Sequence, residues 1–249
     1  MIYLWLFIFG ICAGSFISCL VYRLNHNLTL SGRSVCDHCG KQLAWYDNIP
    51  LFSYLILRGK CRKCQSPIPF QYFLTELITG ILFVLMFRNM VTIEIVLAGF
   101  ILLSLVALFI SDLNYQTIPD IIIFPSIVVA VIYRLTIQQF NNLTIDLITL
   151  VAATVLFLVL SRIKLRGQQA MGFGDVELVF LMGLFLGFPK IVLALYLAFL
   201  TGAVIGVILI ILGKKKLQSA IPFGPFLITG TFIAYFLGDL IWKKIMGLL

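Results

Sequence analysis

Long apolar runs alternate with short polar breaks along almost the whole chain. They fall at about 1–21, 70–88, 92–111, 120–137, 145–161, 176–189, 190–212 and 224–242. A run of about 20 apolar residues is what an α-helix needs to cross the roughly 30 Å hydrocarbon core of a bilayer. The pattern predicts an all-α polytopic membrane protein with about eight transmembrane helices. The run 176–189 is short, begins at a glycine-rich turn and ends at Pro189, so a tilted or partly spanning helix is expected there. One long polar stretch interrupts the series. It divides the chain into a first transmembrane helix (1–22), a polar insertion (23–69) and a helical bundle (70–249). The first run lacks a basic start and a small-x-small cleavage site, and is read as a retained helix rather than a signal peptide.

Composition agrees with this pattern. Apolar residues are 61% of the chain and charged residues only 11%, against about 25% charged in soluble domains. The net charge of +8 does not point to nucleic acid, because the basic residues cluster between apolar runs, where they orient a membrane protein. Of the 18 Lys and Arg, 13 fall in one set of loops: seven in the insertion, then Arg162, Lys164 and Arg166, then Lys214, Lys215 and Lys216. The opposite set holds Arg88, Arg134, Lys190, Lys243 and Lys244. The richer side is expected to be cytosolic, with both termini outside. Asp112, Asp120 and Asp175 then all fall at cytosolic ends of their runs. An Asn141-Asn142-Leu143-Thr144 glycosylation match, in an outer loop, carries little weight.

The insertion carries Cys36-x-x-Cys39 and Cys61-x-x-Cys64. Two such hooks can close one tetrahedral zinc as a small ribbon, each bending the backbone so that two thiolates face one point. Disulfides are the alternative, but a cytosolic segment is in a reducing compartment. Four thiolates leave the metal no open position, so its role is expected to be structural, compensating for a core too small to hold the insertion together. Cys12 and Cys19 read as core thiols of the first helix, and His26 has no evident partner.

Acids are few: ten in all. A carboxylate at the centre of a bilayer helix costs about 3 kcal/mol even on insertion scales. Asp112 ends a helical run, where the macrodipole disfavours an anion, so capping does not explain it. Asp175 closes Gly172-Phe173-Gly174-Asp175 and could cap the helix that follows. Asp120, after Pro119, is read as a cap, and Glu76 as a buried hydrogen-bonding group between helices. Glu94 and Asp146 read as solvated, and Asp239 as a partner of Lys243, four residues on. Two acids from separate helices at one depth suit an aspartic dyad. One, ionised, takes a proton from water; the other, protonated, donates to the scissile carbonyl. Gly172 and Gly174 would let an extended substrate approach closely. A non-enzymatic assembly factor, or a transporter using buried acids as ion relays, is the alternative, although no inverted halves are seen.

These residues, in order, resemble the type IV prepilin peptidases, membrane aspartic proteases of the GxGD group. The resemblance runs from Gly14-Ser15-Phe16 and Tyr22-Arg23-Leu24 through both cysteine hooks with Asn48-Ile49-Pro50 between them. It continues through Arg58-Gly59-Lys60-Cys61, Glu76-Leu77, Asp112, Ile118-Pro119-Asp120, the GFGD tetrad and Pro222-Phe223-Gly224-Pro225-Phe226. It implies that Asp112 and Asp175 are catalytic; Gly172, Gly174, Asp120 and Glu76 are read as substrate-site or supporting residues. It also implies removal of a basic leader from prepilins or pseudopilins, after a glycine, at the cytosolic face of the cell membrane. The cysteine-bearing segment accompanies a second activity in this family, N-methylation of the new terminus with S-adenosylmethionine, so a bifunctional enzyme is expected. Three positions depart from the pattern: Glu177 where a basic residue is usual, Asp37 in place of proline, and Ser18 in place of asparagine.

Overall fold

In a computed structural model, residues 1–87, 92–137, 143–165, 168–169, 171–213 and 221–247 are described. Arg88, Arg166, Lys214, Lys215, Lys216, Asn141 and Asn142 lie outside them. The described chain is almost wholly helical: α1 (Ile2–Asn25), α2 (Phe52–Ile56), α3 (Phe70–Phe87), α4 (Thr92–Tyr115), α5 (Asp120–Ile137), α6 (Leu143–Arg162), α7 (Phe173–Leu186), α8 (Lys190–Ile211) and α9 (Gly224–Met246). The described strands, β1 (Lys164–Leu165) and β2 (Gln168–Gln169), form one small antiparallel pair. Six described helices are long and apolar enough to cross a membrane: α1, α3, α4, α6, α8 and α9. Of the other two expected spans, α5 carries Pro125 in its interior. Helix α7 has only 14 residues, or about 21 Å at 1.5 Å per residue. It stops at Gly187, whose φ of +65° bends the chain out of the helix while its N–H still reaches the Gly183 carbonyl.

The chain forms two units, Met1–Ala107 and Leu108–Leu249. In the first, α1 packs antiparallel on α3 through small residues. A Cβ on Gly10 would lie 2.8 Å from the Gly80 Cα, and one on Gly14 would lie 3.0 Å from the Thr79 side chain. Without side chains in the way, backbones approach closely, and that contact holds helix pairs where lipid gives no hydrophobic drive. Cys12 is on the exposed face of α1, not in the core. The reason is geometry: Gly10 and Gly14 set the packed face, and position 12 points the other way. His26 does have partners; it stacks on Tyr22 at 4.1 Å and its Nδ1 lies 2.8 Å from the Tyr22 carbonyl.

In the second unit α7 is the central helix, packed against α5, α6, α8 and α9. Leu178, Val179, Leu181, Met182 and Phe185 are all buried. A helix apolar on every side belongs inside a bundle. At the far end from Asp175, Asp146 is not simply solvated. It pairs with Arg134 and accepts the Phe188 N–H at 2.7 Å, joining α5, α6 and the end of α7. Asp239 pairs with Lys190 at 2.8 Å rather than with Lys243. The α8–α9 packing brings a closer cation than the same helix offers.

Candidate active site and metal centre

Asp112 lies in the last turn of α4, where four carbonyls without intrahelical partners make a poor neighbourhood for an anion. The fold compensates from elsewhere in the sequence. The backbone N–H of Gly224, the first residue of α9, donates to Asp112 Oδ2 at 2.9 Å. The carboxylate thus rests on the positive end of another helix. The approach needs glycine: a Cβ at position 224 would lie 2.6 Å from that oxygen. Gly224 had appeared only as part of a signature string. The observation that could have singled it out is a glycine followed by proline at a helix start, opposite an uncapped acid.

Asp175 sits in the first turn of α7, with Gly172 as N-cap. Its carboxylate accepts a hydrogen bond from the Gly172 backbone N–H, the return contact of a capping box. The capping reading of Asp175 therefore describes part of its geometry, but not all. Asp175 also lies near enough to Asp112 for their charges to act on each other. Both carboxyl groups are buried, at 7% and 9% exposure. Two buried acids 63 positions apart in sequence thus lie within electrostatic reach of each other, each beside a helix N-terminus.

The two glycines of the tetrad differ. Gly172 is extended at φ −69° and ψ 150°, and an added Cβ would stay 3.8 Å from Asp175 Oδ2. Any residue could take that conformation. Gly174 is needed for packing, because a Cβ there would lie 2.8 Å from the Ile118 Cβ. This contact sets the segment before α5 against the start of α7. Asp120, exposed at the first position of α5, is within electrostatic reach of Glu177.

Glu76 belongs to the first unit. It is buried on α3, accepts the Leu51 N–H at 2.8 Å through Oε2 and is hydrogen-bonded by the Ser15 side chain of α1. It borders a cavity of about 590 Å³ formed between α1, α3 and the insertion.

The four cysteines of the insertion converge. Their sulfur atoms all lie within 4.8 Å of one another. Each hook is a tight knuckle: Gly40 N–H donates to the Cys36 carbonyl at 2.9 Å and Gln65 N–H to the Cys61 carbonyl at 3.0 Å. Short antiparallel bridges, Val35 to Gln42 and Lys60 to Pro67, close the two knuckles. Cys36 and Cys64 sulfurs are 3.9 Å apart, far beyond the roughly 2.05 Å of a disulfide. Tetrahedral zinc with Zn–S bonds of about 2.3 Å requires sulfurs about 3.8 Å apart. The thiols are not alike. Backbone N–H groups of Cys39 and His38 push Cys36 down to about 6, the Ser66 hydroxyl lowers Cys64, and burial with the neighbouring cysteines raises Cys39. The four-cysteine cluster can bind a metal ion.

Comparison with known proteins identifies the family. Residues 8–90 match the bacterial peptidase A24 N-terminal domain and residues 99–207 match the type IV leader peptidase family. The chain belongs to the type IV leader peptidase family. It is 32% identical to the prepilin leader peptidase/N-methyltransferase of Aeromonas hydrophila, over 95% of this chain and 91% of that protein. The Legionella pneumophila protein of that name is 32% identical over 90% of this chain and 79% of its own length. The Myxococcus xanthus one is 34% identical over 83% of this chain, which spans 62% of that longer protein. No solved structure matches the chain. The two matched segments parallel the two units, so the cysteine hooks and Glu76 fall in the first and both aspartates in the second. It is a multi-pass membrane protein of the cell membrane.

Proposed function

We propose that this chain is a membrane aspartic endopeptidase and N-methyltransferase of prepilins or pseudopilins, with Asp112 and Asp175 as its catalytic pair. The observation that supports the peptidase half is two buried carboxyl groups from distant parts of the sequence, within electrostatic reach of each other and each beside a helix N-terminus. Two acids so placed share a proton, because both cannot ionise cheaply side by side. The ionised one takes a proton from water as the oxygen attacks the scissile carbonyl. The protonated one donates to the carbonyl oxygen, and the collapsing intermediate releases the amine. Gly224 lies close against Asp112, Gly174 seats the start of α7 against Ile118, and Asp120 with Glu177 adds negative charge nearby for a basic leader.

Support for the orientation comes from the lysine and arginine count: with eight spans, 13 of 18 fall in one set of loops, and the richer side is the cytosolic one, so the insertion and both aspartates would face the cytosol with both termini outside. A prepilin's apolar helix can then enter the bilayer with its cleavage site at this depth. The cysteine cluster holds a structural zinc, since four thiolates fill its coordination shell. S-adenosylmethionine supplies the methyl group for the new terminus. Asp112→Asn and Asp175→Asn test the pair. Each is expected to insert normally and leave a prepilin uncut in a gel-based processing assay; cutting at near-normal rate by either would reject it.

A further inference from the structure

The cavity of the first unit has polar ends of different kinds. Ser15, Ser18, Cys19 and Tyr22 line it from α1, at the i, i+3, i+4, i+7 spacing of one helix face. Ser15 meets Glu76 at its membrane end. About two turns further on, roughly 10 Å, lie Tyr22 and Arg23, followed by Arg33 and Lys41 of the insertion, which also line it. Leu43, Leu57 and Phe73 add apolar wall. The volume of about 590 Å³ falls in the roughly 300–1,000 Å³ range of small-molecule sites. Cys36 and Cys61 border the cavity too, so the metal knuckles build its wall.

This donor set fits an adenosyl sulfonium amino acid. Phenol and phenyl rings suit a purine, hydroxyls a ribose, and guanidinium or ammonium groups a carboxylate. The amino acid's own ammonium has an acceptor in Asp37, which also lines the cavity, so Glu76 is left for another cation. A carboxylate 9% exposed on a membrane helix, held among the described residues by the Leu51 N–H and the Ser15 side chain, is suited to a cation arriving at membrane depth. Glu76 sits six residues into α3, about 9 Å along the helix. The terminal ammonium of an apolar helix shortened at the membrane boundary is such a cation.

Resting on the N-methyltransferase function above, we propose that this cavity is the methyl-transfer site, and that Glu76 binds the ammonium of the shortened pilin and takes its proton. The amine must be neutral to react. One proton passes from the ammonium to the Glu76 carboxylate, leaving the nitrogen lone pair free. That pair forms the N–C bond to the methyl carbon as the C–S bond breaks, with its electrons left on sulfur as a neutral thioether. The products are a methylated ammonium and the demethylated thioether, and no oxidant or reductant is required.

The test uses the full chain in nanodiscs, S-adenosylhomocysteine as calorimetric probe, and an apolar peptide with a free N-terminal amine as acceptor, methylation being read by mass spectrometry. The peptide needs no cleavage, so the aspartates do not enter. Glu76→Gln is expected to lower methyl transfer by about 100-fold or more and to leave the thioether Kd within about threefold, roughly 0.7 kcal/mol. Glu76→Asp, keeping a carboxylate, is expected to restore part of the rate. Leu57→Trp, which fills the cavity, is expected to weaken thioether binding by about tenfold or more. Near-normal transfer by Glu76→Gln, loss of thioether binding in that variant, or full binding by Leu57→Trp would each overturn the proposal. If the unmutated chain neither binds the thioether nor methylates the peptide, the methyltransferase function itself fails; if it does both and Glu76→Gln matches it, only the role of Glu76 fails.

Discussion

The two units solve one problem, a carboxyl group buried in a largely apolar helix bundle, in different ways. In the first, Glu76 is met by a loop N–H from Leu51 and a side chain from Ser15. The loop belongs to an insertion with few buried residues of its own, folded around two cysteine knuckles. In the second, Asp112 and Asp175 are met by helix N-termini, which are part of the bundle itself. A helix terminus offers fixed, oriented N–H groups that cannot relax away. A loop offers them only while the loop is folded. The second unit therefore holds its acids with its own helix termini, and the first holds Glu76 with a loop of the cysteine-bearing insertion.

The comparison breaks most decisively at the acids. Asp112→Asn or Asp175→Asn should lower leader cleavage by about 1,000-fold or more, measured as precursor remaining on a gel, with membrane insertion and metal content unchanged. If cleavage persists, the second unit is not the hydrolytic one. Next comes the metal. Cys36→Ser should reduce bound zinc from about one per chain to a trace by elemental analysis and lower methyl transfer by about 100-fold, because structural zinc supplies folding energy outright. Cleavage should stay within about fivefold, since both aspartates lie outside the metal-dependent unit. A parallel collapse of cleavage would show that the units are not separable in this way.

Smaller changes sharpen the account of the helix termini. Gly224→Ala places a methyl against Asp112. It should cost cleavage about 30-fold, because a shift of roughly 1 Å at a catalytic group can cost about 100-fold. Gly172→Ala should cost less than about threefold, since its backbone is extended and the added Cβ stays at van der Waals distance. Equal effects at the two glycines, read from steady-state cleavage rates, would remove close approach as the reason for Gly224.

Much of this was legible in the residues. Apolar runs give the helices because an unpaired backbone group in lipid is costly, so a run of that length has few alternatives to a helix. The short run at 176–189 becomes the short helix α7 for the same reason, cut at Gly187. The hooks were legible because ligand spacing is local: two thiolates three positions apart bend toward one point whatever surrounds them. The aspartates were legible as misfits, too expensive to leave without a task. Less visible were pairings that depend on which helix lies beside which. Asp239 finds Lys190 and not Lys243, and Asp146 finds Arg134.

The order of apolar and polar residues by itself determined that the chain is a helical membrane bundle with a cysteine-hooked insertion and two acids worth watching. Those features follow from local hydrogen bonding, transfer free energy and ligand spacing, which a linear string records. Only the tertiary structure decided that the start of α9 carries the N–H that holds Asp112, that Gly174 fits against Ile118, and that Glu76 borders a cavity. Such contacts join residues up to 112 positions apart. They arise from helix packing, where small differences in side-chain shape choose among many alignments, and nothing local in the sequence states the choice.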